Sequence, residues 1–258
     1  MLSSTRITKR SQPRDLLALR WPGSPAVPLL AAAALAVHAL PALTTLGPGR
    51  RRLLQPLSGV GRPGSFGLTF DDGPHPLGTP AVLDALGELG WKATFFMLGS
   101  QVAAHPDVAQ RVAAAGHEIA VHGYGHRNHL ARTPRAVARD VRKAADLIGA
   151  VTCTRPAWYR PPYGVLSAGT LVAARSCGLT PVLWTAWGCD WVRTTPPDVA
   201  RMVIRDLRDG GTVLLHDSDC TSVPGSWRST VAALPLLAEH AQAAGLKARP
   251  LSVHLAGR

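Results

Sequence analysis

The sequence predicts an α/β fold in which short strands and amphipathic helices alternate and build a parallel sheet or barrel. Two observations predict it. From residue 65 onwards, short apolar runs alternate with helical stretches. Chemically reactive side chains follow nearly every run, as they do at the carboxyl ends of barrel strands, which share one face. A chain of 258 residues fits one large domain with a short appendage.

The N-terminal appendage is predicted to contain a membrane segment. Residues 26–46 carry no formal charge and are long enough for a helix to span a bilayer. Pro28, His38 and Pro41 weaken this helix, and a signal peptide cleaved after the apolar core is the alternative. A buried N-terminal helix would need a partner surface. We favour an uncleaved single-pass anchor with the domain outside the cytoplasm.

The net charge of +12 lies mostly in this appendage. The first 62 residues hold nine of the 28 Lys and Arg residues and one of the 16 acidic residues. These charges bracket the apolar stretch instead of forming an uninterrupted basic tail. We therefore expect no nucleic-acid partner and a membrane partner instead.

We predict four segments: a basic segment over 1–25, an anchor or signal peptide over 26–46, a linker over 47–64 and the α/β domain over 65–258. Residues 47–65 are rich in Gly, Pro and Arg, which is typical of a linker. The predicted strands are the apolar runs 66–70, 93–98, 118–121, 158–159, 181–185 and 212–215. Thr79-Pro80 and Thr133-Pro134 begin two helices, and Gly90 ends the first of them.

The four cysteines match no CxxC metal site. An even number of cysteines in an exported domain permits disulfides, with buried free thiols as the alternative. They are Cys153, Cys177, Cys189 and Cys220.

Two adjacent carboxylates and a pair of histidines suggest a metal site. Asp71 and Asp72 end the first apolar run, and His122 and His126 follow the third. Adjacent side chains at a strand end point in different directions, so one carboxylate can bind a metal while the other moves protons. Asp72 with the two histidines gives an O,N,N ligand set that leaves a position for water. Asp71 is then the candidate base of a metal-assisted hydrolysis.

Each motif alone also has a structural explanation. The Asp pair can cap a helix or form an Asx turn, and the histidines can be ordinary surface or core residues. Gly123 and Gly125 indicate a loop between the histidines, and a glycine at 123 excludes the His-Glu-x-x-His motif of a zincin helix. The two motifs together favour the metal site.

Three further residues suit the same hydrolysis. A leaving amine needs a proton, and His216 follows the apolar run 212–215. A carboxylate beside it, which Asp190 can supply, favours the imidazolium. Arg160, followed by two prolines that stiffen the backbone, can orient a carboxylate through a bidentate contact. A hydrogen-bonded core histidine and a structural ion pair are the alternatives.

Five segments, in this order, resemble the polysaccharide deacetylases with a NodB homology domain, also called carbohydrate esterase family 4. The resemblance covers roughly residues 65–250. The segments are Thr69-Phe70-Asp71-Asp72-Gly73-Pro74, His122 to His126, Arg160-Pro161-Pro162-Tyr163-Gly164, Asp190-Trp191 and Leu214-Leu215-His216.

The resemblance implies a distorted (β/α) barrel of the NodB homology type and an enzyme that removes N-acetyl groups from a GlcNAc-containing polysaccharide. By position, Asp71 is the base, and Asp72, His122 and His126 bind zinc, with cobalt or nickel as alternatives. Arg160 orients the base.

The remaining roles follow from the same resemblance. The backbone N–H of Tyr163 stabilises the oxyanion, and Asp190 tunes His216, the acid. Trp191 and Leu214 line the pocket for the acetyl methyl group, and Pro161 is a third substrate-binding candidate.

One residue departs from the family pattern. Gly123 stands where the family has Ser or Thr, whose hydroxyl braces the loop that carries the histidines. Its loss is expected to weaken support of the metal ligands. His129 is an extra imidazole that can compensate.

Two other functions remain compatible with the sequence. One is a non-catalytic glycan-binding or envelope protein on the same fold, since fold alone does not fix function. The other is a deacetylase of a small acetylated metabolite. A complete set of base, acid and metal ligands favours the polysaccharide deacetylase.

Overall fold

The computed structural model describes residues 26–45 and 47–256, and the predicted basic segment 1–25 lies outside them. Within the described residues, the strands are Ser65–Asp71 (β1), Thr94–Met97 (β2), Glu118–Val121 (β3), Trp158–Tyr159 (β4), Thr180–Pro181 (β5), Ala186–Trp187 (β6), Thr212–His216 (β7) and Lys247–Arg249 (β8). The helices are Ala26–Ala39 (α1), Gly47–Leu53 (α2), Gly78–Glu88 (α3), Gly99–Ala104 (α4), Pro106–Ala114 (α5), Pro134–Thr152 (α6), Ala168–Ser176 (α7), Pro196–Asp206 (α8), Trp227–Ala243 (α9) and Leu251–His254 (α10).

The strands form one parallel sheet in the order β5-β4-β3-β2-β1-β7-β6, with β8 also paired to β1. Strand β1 is central and is buried at every residue. It pairs with β7 over residues 67–71, with β2 over 69–71 and with β8 over 65–67. The parallel α/β architecture predicted from the sequence is confirmed, and the carboxyl ends of β1, β2, β3, β4 and β7 meet at one edge of the sheet.

Apolar side chains of the strands and helices form the core that fixes this edge. Phe70 of β1 stacks on Phe95 of β2 with ring centroids 5.1 Å apart. Helix α6 begins where the sequence predicted, because the Thr133 side chain accepts a hydrogen bond from the backbone N–H of Ala136. Helix α6 buries a stripe of apolar side chains at helical spacing against the sheet. The stripe consists of Val137, Val141, Ala144 and Ile148.

The predicted strand over 181–185 is wrong, because this run links two short strands at opposite ends of the sheet. Strand β5 ends at Pro181 and β6 begins at Ala186. Between them, the carbonyls of Val182 and Leu183 accept hydrogen bonds from buried Arg160 instead of a neighbouring strand. The run therefore crosses the opening between the two outer strands. Strand β8 has a polar sequence and was not predicted.

The predicted membrane segment contains helix α1, continued by a 3₁₀ turn over Leu40–Thr45. Within residues 27–45, a stretch of 18 residues has a mean hydropathy of 1.8, and none of it is buried. By length and composition this helix could cross a membrane or belong to a signal sequence.

The division of the chain at residues 47–64 stays a prediction. The segment begins with helix α2, and its second half is hydrogen-bonded to residues of the α/β domain. The Leu57 carbonyl accepts from the backbone N–H of Leu183, and the Gly59 carbonyl accepts from the Thr212 hydroxyl. All four cysteines are free thiols, and Cys153 and Cys220 are exposed.

Candidate active site

The strand ends surround a pocket of about 270 Å³. Predicted site residues from five different strand ends and their loops reach it, which fits the expectation for parallel strands. The predicted residues that line it are Asp71, Asp72, His122, His126, Tyr163, Trp191, Leu214 and His216.

Asp72, His122 and His126 form one cluster. Oδ1 of Asp72 lies 3.3 Å from Nε2 of His122 and 3.5 Å from Nε2 of His126. Asp72 has a φ of +76°, a backbone conformation that is uncommon for a non-glycine residue. Nδ1 of His122 lies 2.8 Å from the carbonyl of Arg160, so Nδ1 carries the proton and Nε2 presents its lone pair to the cluster.

This donor set fits a divalent ion. Ligand atoms at about 2.0–2.2 Å from a tetrahedral ion lie about 3.3–3.6 Å apart, which matches both distances to Asp72. Within the described residues, Oδ1 of Asp72 is buried and has no hydrogen-bond donor. A buried, unpartnered carboxylate oxygen is costly unless a cation satisfies it. One carboxylate and two imidazoles suit zinc, cobalt or nickel.

The electrostatics of the cluster favour the forms that bind metal. Burial by itself would raise the pKa of Asp72, but the nearby imidazoles of His122, His216 and His126 lower that pKa below its ordinary value. Burial, together with repulsion from His122, lowers the pKa of His126 to about 4. At neutral pH, Asp72 is therefore ionised and His126 is neutral.

Buried Arg160 fixes the carboxylate of Asp71 through a hydrogen bond. The guanidinium Nη1 donates to Oδ1 of Asp71 at 2.7 Å and to Oγ1 of Thr69 at 2.8 Å. Nη2 donates to the Leu183 carbonyl at 2.9 Å, and the whole arginine side chain is buried. Four protein acceptors thus fix the guanidinium, the fourth being the Val182 carbonyl. Only Oδ2 of Asp71 is left to face the pocket.

His216 and Asp190 form a second pair across the pocket. Nδ1 of His216 lies 2.8 Å from Oδ1 of Asp190, and Oδ2 of Asp190 accepts from the His216 backbone N–H and from Oγ1 of Thr230. Burial alone would lower the pKa of His216. The charge and hydrogen bond of Asp190, with the charges of Asp72 and Asp71, outweigh burial and raise the pKa to about 9.

The segment after Arg160 bends sharply at the pocket. Tyr163 has a φ of +60°, a conformation that is uncommon for a non-glycine residue and is often found at functional sites. The Tyr163 side chain is 58% exposed, and its ring packs edge-on against His126 at 4.3 Å between centroids. Pro161 is buried and is not among the residues that line the pocket, in contrast to the predicted contact with substrate.

Three tryptophans form one wall of the pocket. Trp187 lies between Trp184 and Trp191, with ring centroids 5.9 Å and 4.9 Å away. Trp191 also contacts the His216 ring edge-on at 5.7 Å. Leu214 lines the pocket as well, so an apolar surface adjoins the polar groups.

Comparisons with known proteins identify the family of this chain. The model of the polysaccharide deacetylase family matches residues 59–182. A chitooligosaccharide deacetylase of Sinorhizobium fredii is 37% identical over 189 residues, which cover 70% of this chain and 87% of the relative. The chain belongs to the polysaccharide deacetylase family.

Solved structures agree with the polysaccharide deacetylase fold. A peptidoglycan N-acetylglucosamine deacetylase superposes with a TM-score of 0.71 at 26% identity, covering 77% of this chain and 91% of that one. A family 4 carbohydrate esterase from Streptomyces lividans, in complex with acetate, gives a TM-score of 0.65 at 29% identity, covering 72% and 91%. The curled parallel sheet is thus the predicted distorted (β/α) barrel of the NodB homology type. The protein is a polysaccharide deacetylase enzyme.

The structure corrects the suggestion that His129 compensates for Gly123 in this polysaccharide deacetylase. His129 is fully buried, and its Nδ1 lies 3.1 Å from Oγ1 of Thr170 and 3.4 Å from the Tyr159 hydroxyl. Its ring packs in the core and is not among the residues that line the pocket.

Several contributors to the site were not predicted, among them Thr221, Trp184 and Trp187. Oγ1 of Thr221 donates to Oδ2 of Asp72 at 2.7 Å, and Trp184 lines the pocket. The spacing of Trp184, Trp187 and Trp191 before and after Asp190 was a usable signal for an aromatic wall. No local pattern marks Thr221, which lies in a loop after β7.

Proposed function

We propose that this polysaccharide deacetylase is a metal-dependent hydrolase that removes N-acetyl groups from a GlcNAc-containing polysaccharide, either a cell-envelope glycan or a chitin-like polymer. The observation that carries the proposal is one pocket in which a carboxylate–imidazole cluster lies between a fixed carboxylate and a charged histidine. Relatives named for chitooligosaccharide and peptidoglycan deacetylation support the substrate class.

Asp72, His122 and His126 are the proposed metal ligands, with zinc favoured and cobalt or nickel as alternatives. A divalent ion held by them supplies Lewis acidity that polarises a carbonyl and acidifies water. Thr221 fixes one oxygen of Asp72 and leaves the other for the ion. The hydrogen bond from His122 to the Arg160 carbonyl keeps its Nε2 available.

Asp71 is the proposed general base. Its Oδ1 is occupied by Arg160, while Oδ2 lies 3.8 Å from Nε2 of His122 and faces the pocket. The Asp71 Oδ2 atom can therefore take the proton of a water molecule that attacks the acetamide carbonyl. Arg160 acts as the positioning residue that keeps this oxygen aimed at the pocket.

His216 is the proposed general acid. Its Nδ1–H donates to Asp190, so in the imidazolium form the Nε2–H is the proton available to the leaving amine. With a pKa of about 9, His216 holds this proton at neutral pH. A carboxylate that can accept a proton and an imidazolium that can donate one are what amide hydrolysis requires.

The remaining pocket groups suit the acetamide. The backbone N–H of Tyr163 is the proposed oxyanion donor, since donors aimed at developing charge give a large share of catalysis. Trp191 and Leu214 provide an apolar surface for the acetyl methyl group, and Pro161 stiffens the turn behind Tyr163.

The proposed location is the cell membrane, with helix α1 as a single-pass anchor and residues 65–258 outside the cytoplasm. The exposed apolar helix of residues 27–45 supports an anchor, and secretion after signal-peptide cleavage is the alternative.

The deciding experiment measures acetate release by the purified protein from peptidoglycan, chitin oligomers and a small acetylated amine. Each substrate is tested before and after chelation and after addition of zinc, cobalt or nickel. We expect release from at least one GlcNAc polymer, loss with chelator and recovery with metal. Release from the small amine alone, or full activity after complete metal removal, would contradict the proposal.

A further inference from the structure

The loop that carries the two histidines, residues 122–126, has glycine at its second position. Gly123 has a φ of +93°, which side-chain-bearing residues rarely adopt. A Cβ at this position would lie 3.0 Å from Oδ2 of Asp140, a residue of helix α6. The carboxylate of Asp140 therefore occupies part of the space that a side chain at position 123 would need.

Asp140 holds the loop directly. Its Oδ2 accepts a hydrogen bond from the backbone N–H of Tyr124 at 2.9 Å, and its Oδ1 accepts from Nη1 of Arg132 at 3.1 Å. The Asp140 side chain is only 8% exposed, so the carboxylate is anchored through both oxygens and largely shielded from water. Hydrogen bonds from backbone N–H groups to a carboxylate are stronger than neutral ones.

The loop carbonyls are held separately. The carbonyls of Gly123 and Tyr124 accept from the backbone N–H groups of Gly99 and Ser100, at 2.9 and 2.8 Å. These bonds leave the Tyr124 N–H to be satisfied, and Asp140 satisfies it. Without Asp140 this N–H would lose its partner, which costs free energy in a part-buried loop.

The two histidines depend on this loop to different degrees. The His122 ring has its own partner, the carbonyl of Arg160. Nδ1 of His126 is buried and has no hydrogen-bond partner within the described residues. The position of the His126 ring is therefore set by the loop backbone and by packing, and not by a hydrogen bond of its own.

We propose that Asp140 is a positioning residue of the metal site, which holds the 122–126 loop in place of the hydroxyl that the family carries at position 123. The inference deepens the proposed function and rests on the metal ligands named there. In this inference, Asp140 affects metal affinity by holding the loop that positions His126, and it makes no contact with the substrate.

The first test uses the metal-free protein and is independent of metal binding. Hydrogen exchange of the segment 123–127 is compared between wild type and Asp140→Ala. The matched control is Asp146→Ala, an exposed carboxylate on the same helix. We expect faster exchange in this segment only for Asp140→Ala. Equal exchange in all three proteins would overturn the inference.

The second test measures zinc affinity by calorimetry on the metal-free proteins. Asp140→Ala should bind zinc about 10- to 100-fold more weakly, as is typical when a partner of a ligand shell is removed. The zinc affinity of Asp140→Asn should lie between those of Asp140→Ala and wild type. An amide oxygen still accepts the hydrogen bond from the Tyr124 N–H, but it lacks the charge of the carboxylate. If Asp140→Ala fails to fold, Asp140→Asn carries both tests, and wild-type affinity in that variant would overturn the inference.

The third test measures zinc affinity after Gly123→Ser, for which two explanations of the loop predict opposite changes. Gly123→Ser restores the hydroxyl of the family, so a loop that merely lacks this group should bind zinc more tightly after the change. If Asp140 already holds the loop, the serine meets its carboxylate in a strained conformation, and zinc binding should weaken. Tighter binding would overturn the inference. Absence of zinc binding by wild type would instead refute the proposed metal dependence, while the exchange experiment still decides the hold of Asp140 on the loop.

Discussion

Arg160 donates a 2.7 Å hydrogen bond to Oδ1 of Asp71 and lies wholly buried behind it. The carboxylate next in sequence, Asp72, makes no such contact and faces the two imidazoles instead. Two adjacent and chemically identical side chains therefore have different surroundings. In the proposed function, their surroundings, and not their chemistry, give one carboxylate the role of proton transfer and the other that of metal binding.

Exchanging either carboxylate for an amide should separate these two roles. Asp71→Asn should lower turnover by about 100- to 10,000-fold, the typical contribution of a general base, and should retain bound metal. Asp72→Asn should lose metal, because it removes the anionic ligand. Metal content and acetate release are measured on the same preparations. Loss of metal in Asp71→Asn with retention in Asp72→Asn would reverse the assignment.

Arg160→Lys tests whether the shape of the guanidinium matters. Lysine keeps the charge but, as a compact donor on a flexible stem, cannot reproduce the four fixed contacts of the arginine. A misplaced base should lower kcat by about 100-fold with little change in zinc affinity. Arg155→Lys, at an exposed arginine nearby, is the matched control. Unchanged kcat in Arg160→Lys would show that Asp71 needs no such orientation.

The part of the site that the sequence predicted lies at strand ends. Asp71, His122 and His216 each end or follow a strand, and parallel strands bring their carboxyl ends to one edge whatever the sequence distance between them. That rule needs only the strand positions, which apolar runs indicate. The family resemblance also implied the division of roles between Asp71 and Asp72, and the structure adds its physical basis, the contact of Asp71 with the guanidinium of Arg160.

Other features could not be found from local patterns. The run 181–185 has the composition of a strand but crosses between the outer strands, because Arg160 takes the carbonyls of Val182 and Leu183. Thr221 and Asp140 each make a single hydrogen bond to a segment that carries proposed metal ligands. Each lies outside the strand ends, so only the folded chain reveals its contact.

Thr221→Val removes the hydrogen bond to Oδ2 of Asp72 and nearly preserves side-chain volume. We expect zinc affinity to fall by about 10-fold, because the ligand carboxylate loses the partner that orients it. Ser222→Ala is the control, since the neighbouring hydroxyl lines the pocket without a hydrogen-bond partner within the described residues. Equal zinc affinities for Thr221→Val and wild type would show that Thr221 does not support metal binding by Asp72.

The membrane proposal is tested with the full-length chain in intact cells. We expect the protein in the membrane fraction, with the domain digested by external protease. The double variant Leu30→Lys/Leu35→Lys should abolish membrane retention, because each charge costs about 2.5–3.5 kcal/mol at the centre of a spanning helix. A full-length soluble protein inside the cell would contradict the proposal, and a secreted form beginning near Leu40 would indicate a signal peptide.

The last prediction concerns the pH dependence of catalysis. His216 acts protonated and its pKa is raised to about 9, so activity should fall as pH rises through about 9. Asp190→Asn removes the negative charge that favours the imidazolium, so its alkaline limb should move to lower pH. Thr230→Val, which removes only the hydroxyl that donates to Asp190, should shift the limb less. The profiles are measured at saturating metal. An alkaline limb that does not move in Asp190→Asn, with metal still bound, would show that another group donates the proton.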